Sequence, residues 1–155
     1  MRTKVSNFTI ALLLLTAITG VMFISCNDDS IDLQGKWHLE SFLNLQENTR
    51  KYPDYRDDEI AENPYLNYAD FYYIKFLNDG SLNGQAEVNS ILGKYKVQDH
   101  KLIISGISTQ VLSFTVDDIE FTFGVFNSSR FEIKGNYLYL YYNNGKNCLK
   151  LKRIE

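Results

Sequence analysis

Metal and redox chemistry have little to work with in this chain of 155 residues, which holds two cysteines, two histidines and one tryptophan. Cys26, His38, His100 and Cys148 each stand alone, with no second ligand at the spacing a zinc site uses. Nucleophile-elbow, phosphate-loop and zinc-protease motifs are missing, so no metal and no catalytic set is expected. The histidines read as surface residues, His38 on the polar face of a strand and His100 in a turn. A basic excess is also lacking. The formal net charge is −3, and that excludes a dedicated nucleic-acid binder. At 45% apolar and 23% charged residues the composition is that of one globular domain, neither low-complexity nor disordered. There is no internal repeat.

Long apolar runs are scarce too, with one exception. Arg2 and Lys4 make a short basic start, and Phe8 to Ile24 is almost unbroken apolar sequence containing Leu12, Leu13, Leu14 and Leu15. A charged start, an apolar run and a small residue before a cut form a secretory signal. A single spanning helix is the alternative, since the run reaches the lower edge of membrane-crossing length. The run closes at Ser25-Cys26, followed by polar Asn27-Asp28-Asp29-Ser30. This resembles a bacterial lipoprotein signal, in which the cysteine is acylated and becomes the first residue. Phe23 stands where leucine is usual, a relaxation common in Bacteroidota-like lipoproteins. Residues 1–25 are then a signal peptide, 26–33 a lipidated tether and 34–155 the folded domain. The chemistry explains the cysteine, because a thiolate is the side-chain nucleophile that takes an acyl-bearing group as a thioether. Two acyl signals make such an anchor stable. The acids after Cys26 resemble a surface-export signal or form a plain solvated tether; both readings stay open. The implied address is the cell envelope, lipid-anchored at the outer membrane, on either face.

The mature chain reads mainly as strands. Trp37, Leu39, Ser41 and Leu43 alternate with Lys36, His38, Glu40 and Phe42. Tyr72, Ile74 and Phe76 alternate up to Asn78-Asp79-Gly80, a hairpin turn, and Leu82, Gly84, Ala86 and Val88 return. Tyr95 and Val97, then Leu102 to Ile104, Phe131 and Ile133, Leu138 and Leu140, and Leu149 and Leu151 continue the pattern. Lys150, Lys152 and Arg153 read as charge protection for a terminal sheet edge. Cys148 reads as a small packed or half-exposed side chain. One segment departs: Ile119, Phe123 and Phe126 recur at helical spacing, and Asp117 with Glu120 resembles a capping box. The same residues also alternate, but the start signal favours a short helix over 116–126. The expected fold is mainly β: an antiparallel barrel-like or sandwich-like sheet of about seven to eight strands with one short helix.

Residues 44–70 differ in kind. They hold both prolines, Pro53 and Pro64, the acids Asp57, Asp58 and Glu59, and Tyr52, Tyr55, Tyr65 and Tyr68. Such a long insertion is expected to be a functional loop. Asp54, Asp57, Asp58 and Glu59 lack calcium-loop spacing and enclose Arg56, so they read as solvated. Charge is lopsided: residues 26–70 carry 11 acids and 4 bases, residues 71–155 carry 8 acids and 10 bases.

Gly84, Asn89, Gly93 and Tyr95 match the centre of the META domain, the HslJ-like envelope domain, at the right spacing. Val88 stands where that family usually has cysteine. Trp37 in an opening W-x-L strand, Phe76 before Asp79-Gly80, Leu102, the 118–126 region and Gly135-Asn136-Tyr137-Leu138-Tyr139-Leu140 follow in order, so the resemblance spans about 35–154. It implies a non-catalytic domain associated with envelope stress tolerance. Gly35-Lys36-Trp37 also resembles the opening of lipocalins, which implies that Arg153 packs over Trp37 and that the barrel carries a small apolar ligand.

Aromatics supply the remaining signal. Tyr137, Tyr139 and Tyr141 share one face of a strand whose other face carries Leu138 and Leu140. With the leucines in the core, the tyrosines form an outward ladder suited to glycan or protein recognition, or to cross-strand stabilisation. The expected function is therefore binding, without cofactor: an envelope protein, a glycan or a small apolar ligand as partner, the membrane through Cys26, and no nucleic acid.

Overall fold

Alternating apolar side chains commit most of this chain to strands that bury one face. The computed structural model describes residues 33–55, 67–98, 101–109 and 115–155. Residues 1–25, expected to be a signal peptide, and Cys26, Asp57, Asp58, Glu59 and His100 lie outside the described residues. The strands are β1 (Gly35–Asn44), β2 (Thr49–Lys51), β3 (Tyr73–Phe76), β4 (Ser81–Gln85), β5 (Ser90–Gln98), β6 (Lys101–Thr109), β7 (Arg130–Lys134), β8 (Tyr137–Tyr142) and β9 (Asn147–Arg153), and one α-helix, α1 (Val116–Phe126), sits between β6 and β7. From β3 to β9 consecutive strands pair antiparallel, and β1 pairs antiparallel with β2, β3 and β9. The result is a closed eight-stranded antiparallel barrel with β2 as an extra strand, as expected for the mainly β class.

Closure corrects one reading. β9 is not an edge: Trp37↔Arg153 through Asn44↔Asn147 zip it to β1, while its other side pairs with β8. Lys150, Lys152 and Arg153 therefore serve other purposes. The guanidinium of Arg153 lies 4.3 Å from the centre of the Trp37 ring, as the lipocalin resemblance implies. The indole is fully buried and donates its N–H to the Leu33 carbonyl at 2.8 Å.

A β-bulge corrects a second. The β1–β9 register shifts between Leu39 and Ser41, inserting one extra residue in β1. Trp37 and Leu39 face inward, but beyond the bulge it is Phe42 that is buried while Leu43 is only half-buried. Simple alternation assigned Leu43 to the Trp37 face, and one inserted residue reverses that parity. The segment after β1 is likewise not a free loop from residue 44. It begins as a hairpin, with Asn44↔Thr49 and Phe42↔Lys51 paired. The return strand after Gly80 ends at Gln85 rather than Val88.

Alternating strand direction sorts the connections to two ends. The chain's entry at Gly35, the β3–β4, β5–β6 and β7–β8 turns and the C-terminus gather at one end, where Ile154 N–H meets the Lys36 carbonyl at 2.9 Å. The β1–β2 hairpin, the β4–β5 and β8–β9 turns and α1 gather at the other. Between them Trp37, Phe76, Leu82, Leu102, Leu138 and Leu149 belong to one buried cluster. Tyr95 is half-buried against it, its ring edge-on to Phe76 at 4.9 Å.

The helix is real, and its start lies two residues before the box that sequence suggested. Thr115 is the N-cap and accepts from the Asp118 N–H at 3.1 Å. Asp117 and Glu120 are not the capping pair; both turn to Lys51 instead. Gly124 lets the helix sit on β9, since an added Cβ there would stand 2.9 Å from a Leu149 methyl carbon and 3.0 Å from its Cγ. Helix propensity alone makes Gly→Ala stabilising by about 1 kcal/mol. Overpacking a confined leucine costs about 1–3 kcal/mol. Gly124→Ala should therefore lower stability in urea unfolding, and Leu149→Val in the same chain should recover part of that loss.

Candidate functional site

Four elements meet where α1 begins. β2 brings Lys51, the chain after it Asp54, the β4–β5 turn Glu87, and the helix start Thr115, Val116 and Asp117. Together they line a recess of about 260 Å³. Three carboxylates face one ammonium there, so the recess is electronegative. Lys51 spans its mouth, paired with Asp117 and 3.8 Å from Glu120, with its ammonium 5.4 Å from the centre of the Phe42 ring. The second Asp117 oxygen accepts from the Asp54 N–H at 2.7 Å. This single carboxylate therefore ties the chain after β2 to the helix.

Behind the recess sits Asp118, fully buried. One of its oxygens accepts from the Glu87 N–H at 2.6 Å, which pins the β4–β5 turn to the helix. Its other oxygen is buried with no hydrogen-bond partner. Burial accordingly raises this carboxyl above its ordinary value, the backbone donors opposing in part. Tyr72 completes the group. Its φ of +47° is the left-handed region, unusual for a bulky side chain and worth about 1–3 kcal/mol of strain. Its carbonyl accepts from Leu39 N–H at 2.8 Å, its ring meets Phe121 edge-on at 5.7 Å, and its hydroxyl is 3.4 Å from Glu87 Oε2. Burial raises the Tyr72 phenol strongly, so it remains a neutral donor.

His38 is not the surface residue its strand position suggested. Its Nε2 lies 2.9 Å from the Tyr68 carbonyl and 3.2 Å from the Tyr55 hydroxyl, and the His38 and Tyr55 rings stack with centroids 6.2 Å apart. Burial lowers its pKa, against the carbonyl contact. The same burial pushes the Tyr55 phenol up to about 12. Tyr55 thus folds back onto β1 and Tyr72, while Tyr52 and Tyr68 stay exposed. Cys148 is fully buried, its thiol pushed up to about 12 by that burial. Among the described residues no group of three or more His, Cys, Asp or Glu side chains is placed to hold a metal ion.

The tyrosine ladder lies elsewhere, on the outer face of β8. Leu138 and Leu140 point into the core, as the alternation required. Tyr137 and Tyr139 are half-buried and Tyr141 is only 9% exposed. Long cations lie over all three rings: Lys150 at 4.0 Å from Tyr137, Lys134 at 5.4 Å from Tyr139 and Arg130 at 4.0 Å from Tyr141. Glu132 accepts from the Tyr141 hydroxyl at 3.1 Å and pairs with Lys134 and Arg130. The ladder is a cation–π lattice along the barrel wall. It is separate from the recess. Sequence reading missed the recess residues because Glu87 and Asp118 lie far apart in the chain; Thr115-x-x-Asp118 was the one local signal available.

No protein-family model matches the chain, and no curated protein matches it. Solved structures do. A DUF4847 family protein from Bacteroides vulgatus ATCC 8482 is similar at a TM-score of 0.56 and 19% identity, over 80% of this chain and 95% of that one. A protein from Burkholderia xenovorans determined by NMR is similar at 0.57 and 15% identity, over 78% and 82%. What is shared at these identities is the fold.

Asp118 generates a pH dependence. The native state holds this proton at pH values where the unfolded chain has released it, so the stability it contributes falls as pH rises from 3.8 through the raised native value, then levels. Each unit by which the native value is raised corresponds to about 1.4 kcal/mol. Asp118→Asn keeps an oxygen for the Glu87 N–H and removes the titration. The stability advantage of wild type over this variant, measured by denaturant melts across the acid range, should shrink as pH rises. An advantage independent of pH would assign the slope to another group.

Proposed function

We propose that this chain is a lipid-anchored envelope protein of the outer membrane whose META-like barrel binds a partner and performs no chemistry. The carrying observation is the short reach between Cys26, which ends the lipobox-like segment, and Leu33, where the chain is already packed beneath Trp37. An acyl chain on Cys26 would hold the barrel close to a bilayer through a tether of at most about 25 Å.

The residues matched to the META domain have structural work that fits the proposal. Gly84 lies where any Cβ would collide with the Tyr73 carbonyl. Asn89 is fully buried, and its carbonyl accepts from Ala86 N–H at 2.8 Å. Gly93 sits at the β5 register shift, and the Tyr95 hydroxyl donates to the Leu77 carbonyl at 2.9 Å. Binding rather than catalysis is supported by the engagement of His38 with a carbonyl and by the burial of the Cys148 thiol, since a nucleophile or base needs a tuned and accessible group.

The stack of Arg153 on Trp37 favours a second reading, a lipocalin-like carrier. The cluster of large buried side chains inside the barrel weighs against it, since a carrier needs room for its cargo. Among the described residues two surfaces suit a partner: the recess bounded by Lys51 and Asp54, and the outer face of Tyr137 and Tyr139.

Feeding cells a fatty-acid analogue should label the wild type and leave Cys26→Ala unlabelled; label retained by the variant would remove the anchor. Tyr137→Ser with Tyr139→Ser leaves the better-buried Tyr141 in place and should keep the fold by circular dichroism while abolishing capture of envelope partners. Unchanged capture would move the contact to the recess.

A further inference from the structure

Charge is sorted along the barrel axis. The end that carries the recess is acidic, with Asp54, Glu87 and Asp117 around Lys51. At the opposite end, where the chain enters, the β5–β6 hairpin presents Lys94, Lys96 and Lys101, all exposed. The hairpin outruns β4 on one side. β4 pairs with β5 only as far as Ser81↔Lys94, whereas the β5–β6 ladder continues through Lys96↔Ile103 to Gln98↔Lys101. On its other side β6 meets β7 at the single pair Lys101↔Arg130. Near the turn Val97, opposite the buried Leu102, is 38% exposed, Ile103 beside Lys96 is 47% exposed, and Ile154 near the C-terminus is exposed at the same end. Among the described residues at this end Glu155 pairs with Lys75 at 2.7 Å and Asp79 accepts from Ser81 at 2.9 Å, while Asp99 of the turn lies outside the described residues.

We infer that this hairpin end docks on the surface of an anionic phospholipid bilayer, the lysines meeting headgroup phosphates while Val97, Ile103 and Ile154 enter the interface. Exposed lysines and apolar residues together at one rim suit that interface, since ammonium heads reach phosphate while apolar side chains leave water. The covalent route points the same way. β1 begins at this end with Gly35, so an anchor at Cys26 would draw this end toward the bilayer. The inference rests on the anchor reading for that direction. It also places the acidic recess away from the bilayer, where negative charge is not repelled by anionic lipid.

The test uses the lipidated full chain in vesicles of phosphatidylethanolamine with phosphatidylglycerol, and in vesicles of phosphatidylcholine alone. An environment-sensitive dye is placed at Gln98→Cys, with a second labelled protein at Glu47→Cys as the far-end control. The Gln98 dye should shift to the blue and be shielded from an aqueous quencher on the anionic vesicles only, and the Glu47 dye should not change. Charge reversal of Lys94, Lys96 and Lys101 should abolish the shift, and replacement by glutamine should weaken the contact roughly fivefold per lysine. Added salt should act in the same direction. A Gln98 dye that stays water-exposed on anionic vesicles overturns the docking, whichever way the anchor test falls. Flotation with vesicles at high salt reports the anchor alone. Its loss with the dye shift retained would remove the anchor and keep the docking.

Discussion

The pairing of β1 with β9 is the constraint on which the molecule depends. It turns a meander into a barrel, pairs the two outer strands of that meander with each other and brings Arg153 over the only tryptophan. The bulge at Glu40 and Ser41 is part of the same closure. The extra residue bends β1 and lets its second half turn Phe42 inward, where the β1–β2 hairpin and Lys51 complete the rim. Glu40, displaced at the bulge, pairs with Lys150 across the seam. The Lys150 ammonium in turn covers Tyr137. A single closure therefore links the core, the outer tyrosine face and the recess end.

The helix performs the other organising task. A barrel with one weakly paired seam needs a cover, and α1 supplies it with Phe121 and Val125 buried and Gly124 pressed against Leu149. Its first turn is also an electrostatic knot. Asp117 holds Lys51 and the Asp54 amide, and Asp118 holds the Glu87 amide, so two successive carboxylates at a helix N-terminus bind two distant segments. The burial of Asp118, with one oxygen unpartnered, and the strained φ of Tyr72 fall at the same place. Local cost concentrated beside a recess is what binding surfaces commonly show.

Much of the fold was legible in the chain because period-two alternation is a local signal. Leu138 and Leu140 against Tyr137 and Tyr139, the turns at Asp79-Gly80 and Gly135-Asn136, and the helix over 116–126 all follow from neighbours in sequence. What escaped was non-local. Nothing within β9 says that β1 will pair with it, so its lysines looked like edge protection. A bulge leaves no mark in composition, so Leu43 was placed on the wrong face. His38 looked polar and exposed because the groups that cover it, Tyr55 and Tyr68, come from the 44–70 segment. The recess was invisible for the same reason: its carboxylates are ordinary surface acids until the β4–β5 turn and α1 meet.

Closure by the first and last strands also sets an order of events. In a chain delivered N-terminus first, β1 emerges early, yet the partner that covers Trp37 arrives only with Arg153. Until then β1 has hairpin contacts on one side and an open row of amides and carbonyls on the other. Contacts so distant in sequence form slowly, because the intervening chain must be ordered first. The barrel is therefore completed late and all at once, and truncation of even the last strand would leave the tryptophan side of the molecule unzipped.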